Sequence, residues 1–302
     1  MHDMKLFSAQ EVDDGAAPLD TFALQFLAQG DSWFSVGAFP PWLTSNLFEK
    51  ITLPVMSCAV NCASPGLQLR RMTDTTRQQA FLRLLNGAKR RPWAGVLVSG
   101  GGNDLIEATG APPSAPRSRR LLRRADEWGP LSDGPARYLS EEGWATFATH
   151  LRAVVDELLH QRDRLPTNRG VPLWLHTYDL ATPRWAPAGA GQGPWLAPSL
   201  ARFGVPVTEW RAVAAVLLGR LGTLLKDMAA AVSDGSLHVV DTHGRLWPAD
   251  TQDTGATAHW HNEIHPSRQG YRLLGDAWEA ALAAGYGLAP AQPAPADPPP
   301  LQ

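Results

Sequence analysis

Ser32, in the run Gln29-Gly30-Asp31-Ser32-Trp33, has the surroundings of a nucleophile. The stretch Phe22–Ala28 before it is mostly apolar and carries two phenylalanines, which suits an interior parallel strand covered on both faces. Gly30 ends that run, and open α/β sheets handle ligands where strands give way to loops at their carboxyl ends. A serine hydroxyl attacks a carbonyl only with help. It needs a base to take its proton, a group to orient the base, and donors aimed at the developing oxyanion. The chain offers a candidate for each. His265, in Trp260-His261-Asn262-Glu263-Ile264-His265-Pro266-Ser267, lies in a loop between the last predicted strand and the last helix and is the candidate base. Gly66 offers a backbone N–H that no side chain shields, and Asn103, in Gly100-Gly101-Gly102-Asn103-Asp104, offers a side-chain amide. The Gly-x-Ser-x-Gly elbow of the common α/β-hydrolases is absent. His259, His261, Glu263 and His265 form a dense cluster of ligand-type residues. They match neither His-Glu-x-x-His nor His-x-x-Glu-His, so neither a metal nor another cofactor is expected.

The elements that must position these residues alternate along the chain. Strand-like runs cover Phe22–Ala28, Ile51–Val60, Trp93–Ser99, Val171–Tyr178 and Leu237–Asp241, and helical spacing of apolar residues covers Trp42–Lys50, Thr73–Arg90, Ser140–Arg164, Thr208–Ser233 and Ser267–Ala284. Five strands alternating with helices predict an α/β fold, a parallel sheet wrapped by helices on both faces. Residues 21–287 then form one domain, residues 1–20 a polar leader, and residues 288–302 a Pro/Ala-rich tail with too little apolar content to fold. Two long loops or insertions interrupt the alternation. Residues 110–140 carry Arg117, Arg119, Arg120, Arg123 and Arg124, read as a solvated basic segment or an anion contact. Residues 181–206 are rich in Pro, Gly and Trp, and their length marks them as a substrate-facing loop. Trp33, Trp185 and Trp195 are candidate substrate contacts. Asp179, at the end of the fourth strand, either lines the same pocket or caps a turn.

Bulk properties exclude several roles. A formal charge of -2 and a pI near 6.5 argue against a nucleic-acid partner. No apolar run approaches the ~20 residues of a membrane span, and the first residues lack the order of a signal peptide. A cytoplasmic protein with a small-molecule substrate is the expectation; oligomeric state is not addressed by these properties. Cys58 and Cys62 are expected to be reduced core thiols.

Taken together, these residues resemble the SGNH (GDSL-type) hydrolase family. Gly30-Asp31-Ser32 resembles the first of its sequence blocks, Gly66 the second, Gly101-Gly102-Asn103-Asp104 the third and His265-Pro266 the fifth, in chain order. The resemblance implies a flavodoxin-like three-layer α/β/α sandwich with a five-stranded sheet and hydrolysis of carboxylic esters. Ser32 would be the nucleophile and His265 the base, with Ser32 N–H, Gly66 N–H and Asn103 as the oxyanion hole. The chain departs from the pattern at one position, since Asn262 stands where the family places an aspartate. Three consequences are open: Glu263 turns inward as the acid, a backbone carbonyl orients His265 in a Ser-His dyad, or the protein is a weak or inactive binder on the same fold.

Overall fold

The computed structural model describes residues 1–35 and 45–288. Strands β1 (His2–Asp3) to β8 (Leu237–Val240) divide into two sheets. β1 forms a short antiparallel ribbon with β4 (Thr52–Leu53). The main sheet has six strands, β2 (Lys5–Ser8), β3 (Leu24–Gly30), β5 (Ser57–Asn61), β6 (Gly95–Ser99), β7 (Leu173–His176) and β8, in the order β2-β5-β3-β6-β7-β8. Every pairing within it is parallel.

Eight α-helices accompany these strands among the described residues: α1 (Ala9–Asp13), α2 (Ser32–Ser35), α3 (Gln79–Leu85), α4 (Gly102–Thr109), α5 (Glu141–Asp163), α6 (Ala197–Arg202), α7 (Trp210–Ala231) and α8 (Arg268–Gly285). Trp174 and His176 alternate with Leu173 and Leu175 along β7, so the two pairs face opposite layers. The Trp174 and His176 side meets α8: a Cβ on Gly285 would touch the Trp174 ring, and Trp278 meets the His176 ring at 5.7 Å. The opposite layer holds α5 and α7, whose Leu151 and Leu221 converge on Gly101. The protein is a three-layer α/β/α sandwich with a core continuous through both faces.

The sheet has six strands where five are expected. The extra strand comes from the polar leader. Lys5–Ser8 pairs in register with Cys58–Asn61, Phe7 packs its ring edge-on against Phe22, and Ser8 closes a capping box with Glu11 to start α1. Four residues with one buried side chain make an edge strand too short to leave a period in the sequence.

The helix expected over Thr73–Arg90 shrinks to α3. Asp74 accepts the N–H groups of Thr76 and Arg77 and makes a turn there instead. The helix expected over Trp42–Lys50 begins outside the described residues, and its described end is a single 3-10 turn at Phe48–Lys50. The run Ile51–Val60 divides at Pro54, which cannot donate to a ladder. Helices α5 and α8 start as expected: Ser140 and Ser267 accept from the N–H groups of Gly143 and Gly270 at 3.1 and 3.2 Å. The Pro/Ala-rich tail lies outside the described residues beyond Leu288.

Of the five arginines between residues 117 and 124, four meet partners within the fold, and Arg119 is exposed. Arg120 is buried and paired with Glu127, Arg124 meets Asp126 and Glu127, Arg117 lies near Glu142, and Arg123 donates to the Arg137 carbonyl. Both cysteines are free thiols, and burial raises Cys58 to about 11 and Cys62 to about 12. Among the described residues, no helix is long and apolar enough to cross a membrane.

Candidate active site

The chain leaves β3 for β5 on one side of it, and later leaves β5 for β6 on the other. That reversal opens a crevice beyond the carboxyl end of β3, which is where α/β sheets of this kind hold ligands. Ser32 sits there, as the first residue of α2. The loop after β5 brings Gly66, the first turn of α4 brings Asn103, and the loop after β8 brings His265. All four border one cleft of about 590 Å³.

Ser32 Oγ lies 2.8 Å from His265 Nε2. His265 Nδ1 lies 3.0 Å from Asn262 Oδ1, and that same oxygen accepts the backbone N–H groups of Ile264 at 3.1 Å and His265 at 2.9 Å. Those two donors decide the amide's orientation, because the NH2 end of Asn262 cannot face two N–H groups. An oxygen facing Nδ1 can only accept, so Nδ1 carries the ring proton. Nε2 is left with a lone pair toward the Ser32 hydroxyl. Burial, with a smaller contribution from the nearby His261, lowers the His265 pKa to about 4 and keeps the ring neutral.

Glu263 does not face His265. Its carboxylate accepts the backbone N–H groups of Arg184 (3.2 Å), Leu196 (2.9 Å), Ala197 (2.7 Å) and Trp195. It therefore caps the start of α6 with a negative charge at a helix N-terminus. Burial is the largest influence on this group and raises its pKa, against the four N–H donors that lower it. The contact it fixes is functional in position: Trp195 is carried over the cleft, its ring edge-on to the His265 imidazole at 5.4 Å. Arg184, wholly buried, donates to the carbonyls of Asp253, Gly255 and Asn262 and ties the histidine loop to the 181–206 segment.

The oxyanion candidates Ser32, Gly66 and Asn103 border the same cleft. Asn103 Nδ2 donates one proton to the Leu67 carbonyl at 3.1 Å, which sets the amide's direction and leaves its second proton for a ligand. Gly66 adopts φ +74°, a left-handed turn that an L side chain rarely takes. Gly101, at φ +102°, makes the same kind of turn before α4. Asp104 joins the two loops, its carboxylate accepting from Leu69 N–H at 2.7 Å and Arg70 N–H at 3.4 Å. It is a positioning residue whose role a lone Asn-Asp pair in sequence does not reveal.

The four candidate substrate contacts separate. Trp195 lines the cleft. Trp33 is buried beneath it, stacked on His176 and donating from Nε1 to the Ile264 carbonyl at 3.2 Å. Trp185 is 51% exposed, pairs with Trp210, and does not reach the cleft. Asp179 holds the N–H groups of Leu180, Gly244, Arg245 and Leu246 at 2.6 to 2.8 Å, which makes it the clamp of the turn after β8. The ligand-type cluster is likewise dispersed: His259 Nδ1 accepts from Trp247 N–H while Glu263 and His265 face different partners.

A second row of polar groups lies beneath Ser32. Asp31 accepts from Ser99 Oγ at 2.6 Å, from Trp33 N–H at 3.0 Å and from the Tyr178 hydroxyl. Ser99 Oγ is in turn 2.9 Å from His176 Nε2, whose Nδ1 faces the Thr177 carbonyl at 2.8 Å. Burial raises Asp31 to about 6 and lowers His176 to about 4.

No family model matches the sequence, and no curated protein matches it. Among solved structures, the chain is similar to an extracellular lipase from Streptomyces rimosus, at 13% identity over 87% of this chain and 99% of that one, with a TM-score of 0.46. It is also similar to a candidate SGNH hydrolase from Slackia heliotrinireducens, at 16% identity over 86% and 99% of the two chains, TM-score 0.45. An acetyl xylan esterase is similar at 10% identity over 86% and 100%, TM-score 0.42. Each likeness is one of chain layout.

Proposed function

We propose that the protein hydrolyses carboxylic esters with Ser32 as nucleophile, His265 as general base and acid, and Asn262 as the group that orients the imidazole. The observation that carries this reading is the row Ser32 Oγ, His265 Nε2, Nδ1, Asn262 Oδ1, with contacts of 2.8 and 3.0 Å at the edge of an open cleft. In the first step the Ser32 proton passes to His265 Nε2 as Oγ bonds to the acyl carbon. The oxyanion takes hydrogen bonds from Ser32 N–H, Gly66 N–H and Asn103 Nδ2. His265 then returns the proton to the leaving alkoxide. Water repeats the sequence on the acyl-enzyme, releasing the acid and restoring the serine.

Asn262 bears on the rival reading of a binding-only protein. In the handling of serine protease triads, an asparagine at the acid position costs ~10⁴ in rate because the imidazole takes the wrong tautomer. Here the two backbone donors on Oδ1 hold the productive tautomer, and what is missing is only the negative charge that would stabilise an imidazolium. The reading is therefore a serine-histidine esterase of reduced basicity. Exposure to a fluorophosphonate probe tests it: the folded protein is expected to label at Ser32 with loss of p-nitrophenyl acetate turnover. An unlabelled, inert folded protein would leave the binding-only alternative.

A further inference from the structure

Ser32, Asn103 and Ile264 border a second space besides the large cleft. It measures about 40 Å³, against about 590 Å³ for the cleft. Its apolar walls are Trp33, Leu105, Ile106, Ala181, Leu196 and Leu218, and Asp31 and Tyr178 also border it with their polar ends hydrogen-bonded to each other. Leu105, Leu196 and Leu218 are buried and come from α4, the start of α6 and α7, so the walls are parts of the core rather than a mobile loop. Leu196 is further held by the Glu263 carboxylate on its N–H. Asp179 also borders the space, but its carboxylate is engaged by the turn after β8. What the interior offers a ligand is hydrocarbon.

An acyl carbon bonded to Ser32 Oγ must place its oxygen among the donors and send its two remaining substituents elsewhere. Two spaces meet at Ser32 to receive them. The leaving alkoxide has to be protonated by His265, and His265 lines the large cleft and not the small space. The alcohol part therefore lies in the cleft, and the acyl chain enters the small space. At about 40 Å³ against about 590 Å³ for the cleft, the space takes a short chain and not a long one. We propose that it is a short-chain acyl pocket, and that the protein selects esters of short-chain acids whose bulkier alcohol part occupies the cleft.

This inference rests on Ser32 being the acylated nucleophile, and the experiment keeps the two apart. Turnover of p-nitrophenyl acetate, butyrate and octanoate is measured beside methyl octanoate, with fluorophosphonate labelling of Ser32 in every sample. The wild-type protein is expected to favour acetate or butyrate over octanoate by roughly tenfold or more in kcat/KM, and methyl octanoate to be poorest, since methylenes without a pocket forfeit transition-state binding. Leu218→Ala should raise octanoate relative to acetate roughly tenfold. Ala181→Val should lower butyrate relative to acetate. Labelling in each variant shows that the fold and the serine survive. Labelled protein that favours octanoate or methyl octanoate, or whose ratios move in neither variant, overturns the pocket while the serine reading stands. A wild-type protein that neither labels nor turns over any ester removes both.

Discussion

Among the described residues two serine-histidine pairs lie side by side, and one of them borders an open cleft. Ser32 and His265 meet at 2.8 Å, and Ser99 and His176 at 2.9 Å. The second pair has a carboxylate beside it, but on the serine: Asp31 lies 2.6 Å from Ser99 Oγ, while His176 Nδ1 faces the Thr177 carbonyl. Burial lowers both histidines to about 4, so basicity does not separate them. Access does. Ser99 and His176 are 0% exposed, whereas Ser32 and His265 retain 7% and 6% on the wall of a cleft that also holds Gly66 and Asn103. A nucleophile is defined by the space in front of it and the donors around that space, more than by its acid-base partners.

The inner row also has a proton count that the outer row does not. His176 Nδ1 faces a carbonyl and must carry a proton. Two further contacts, from Nε2 to Ser99 Oγ and from Ser99 Oγ to Asp31, need two protons, and Ser99 supplies one. The other sits on either the carboxyl or the imidazole, so the row is neutral as a whole. Burial opposes charge on both groups, raising Asp31 and lowering His176. The inner row stiffens the floor under Ser32. It does so through Asp31, the residue next to Ser32, and through Trp33 N–H.

The largest contrast between the rows is expected from removing each hydroxyl. Ser32→Ala should reduce ester turnover by on the order of 10⁴ to 10⁶. Ser99→Ala should keep turnover within about tenfold and lower unfolding stability by about 1–3 kcal/mol, because it strands buried partners. Equal loss of turnover in both, with both proteins folded, would break the distinction.

A smaller effect concerns charge on the outer row. With His265 at about 4, activity should hold as pH falls past the ordinary histidine range and drop only near pH 4, as the ring protonates. The same shift has a stability sign: a histidine with a lowered folded pKa favours unfolding as pH falls from about 6.5 toward 4, because the unfolded chain takes the proton first. Asn262→Asp should stabilise the imidazolium and move the acid limb of the rate profile upward. A wild-type limb already near pH 6.5, unmoved in this variant, would contradict the neutral orientation by Asn262.

The smallest effect is expected at Glu263. Glu263→Gln replaces one acceptor end by a donor against the N–H groups that start α6. It should lower stability by about 1–3 kcal/mol and raise KM through the displaced Trp195, with kcat changed less than tenfold. A large loss of kcat at unchanged stability would return Glu263 to the role of acid.

Much of this was legible along the chain. Ser32, Gly66, Asn103 and His265 could each be picked out because strand ends leave a local mark: an apolar run, a turn former, a polar residue. Helices α5 and α8 were legible for the same reason, through a capping serine followed by an apolar stripe. The edge strand Lys5–Ser8 was not, since its partner lies some fifty residues away and four residues carry no period. Asp179 and Trp185 could not be sorted either, because whether a side chain at a strand end meets solvent, a turn or a ligand depends on which loop lands beside it.

The sequence by itself determined which chemistry was on offer and at which strand ends, because hydrophobic periodicity and turn composition are local properties. Tertiary structure decided the rest. Ser32 and His265 are 233 positions apart, and the strand order brings them to one crevice. The same packing turned Glu263 toward α6 and locked the Asn262 oxygen under two backbone N–H groups. Neighbouring residues with similar polarity thus took opposite roles, because each side chain answers to the donors that the fold places within about 3 Å of it.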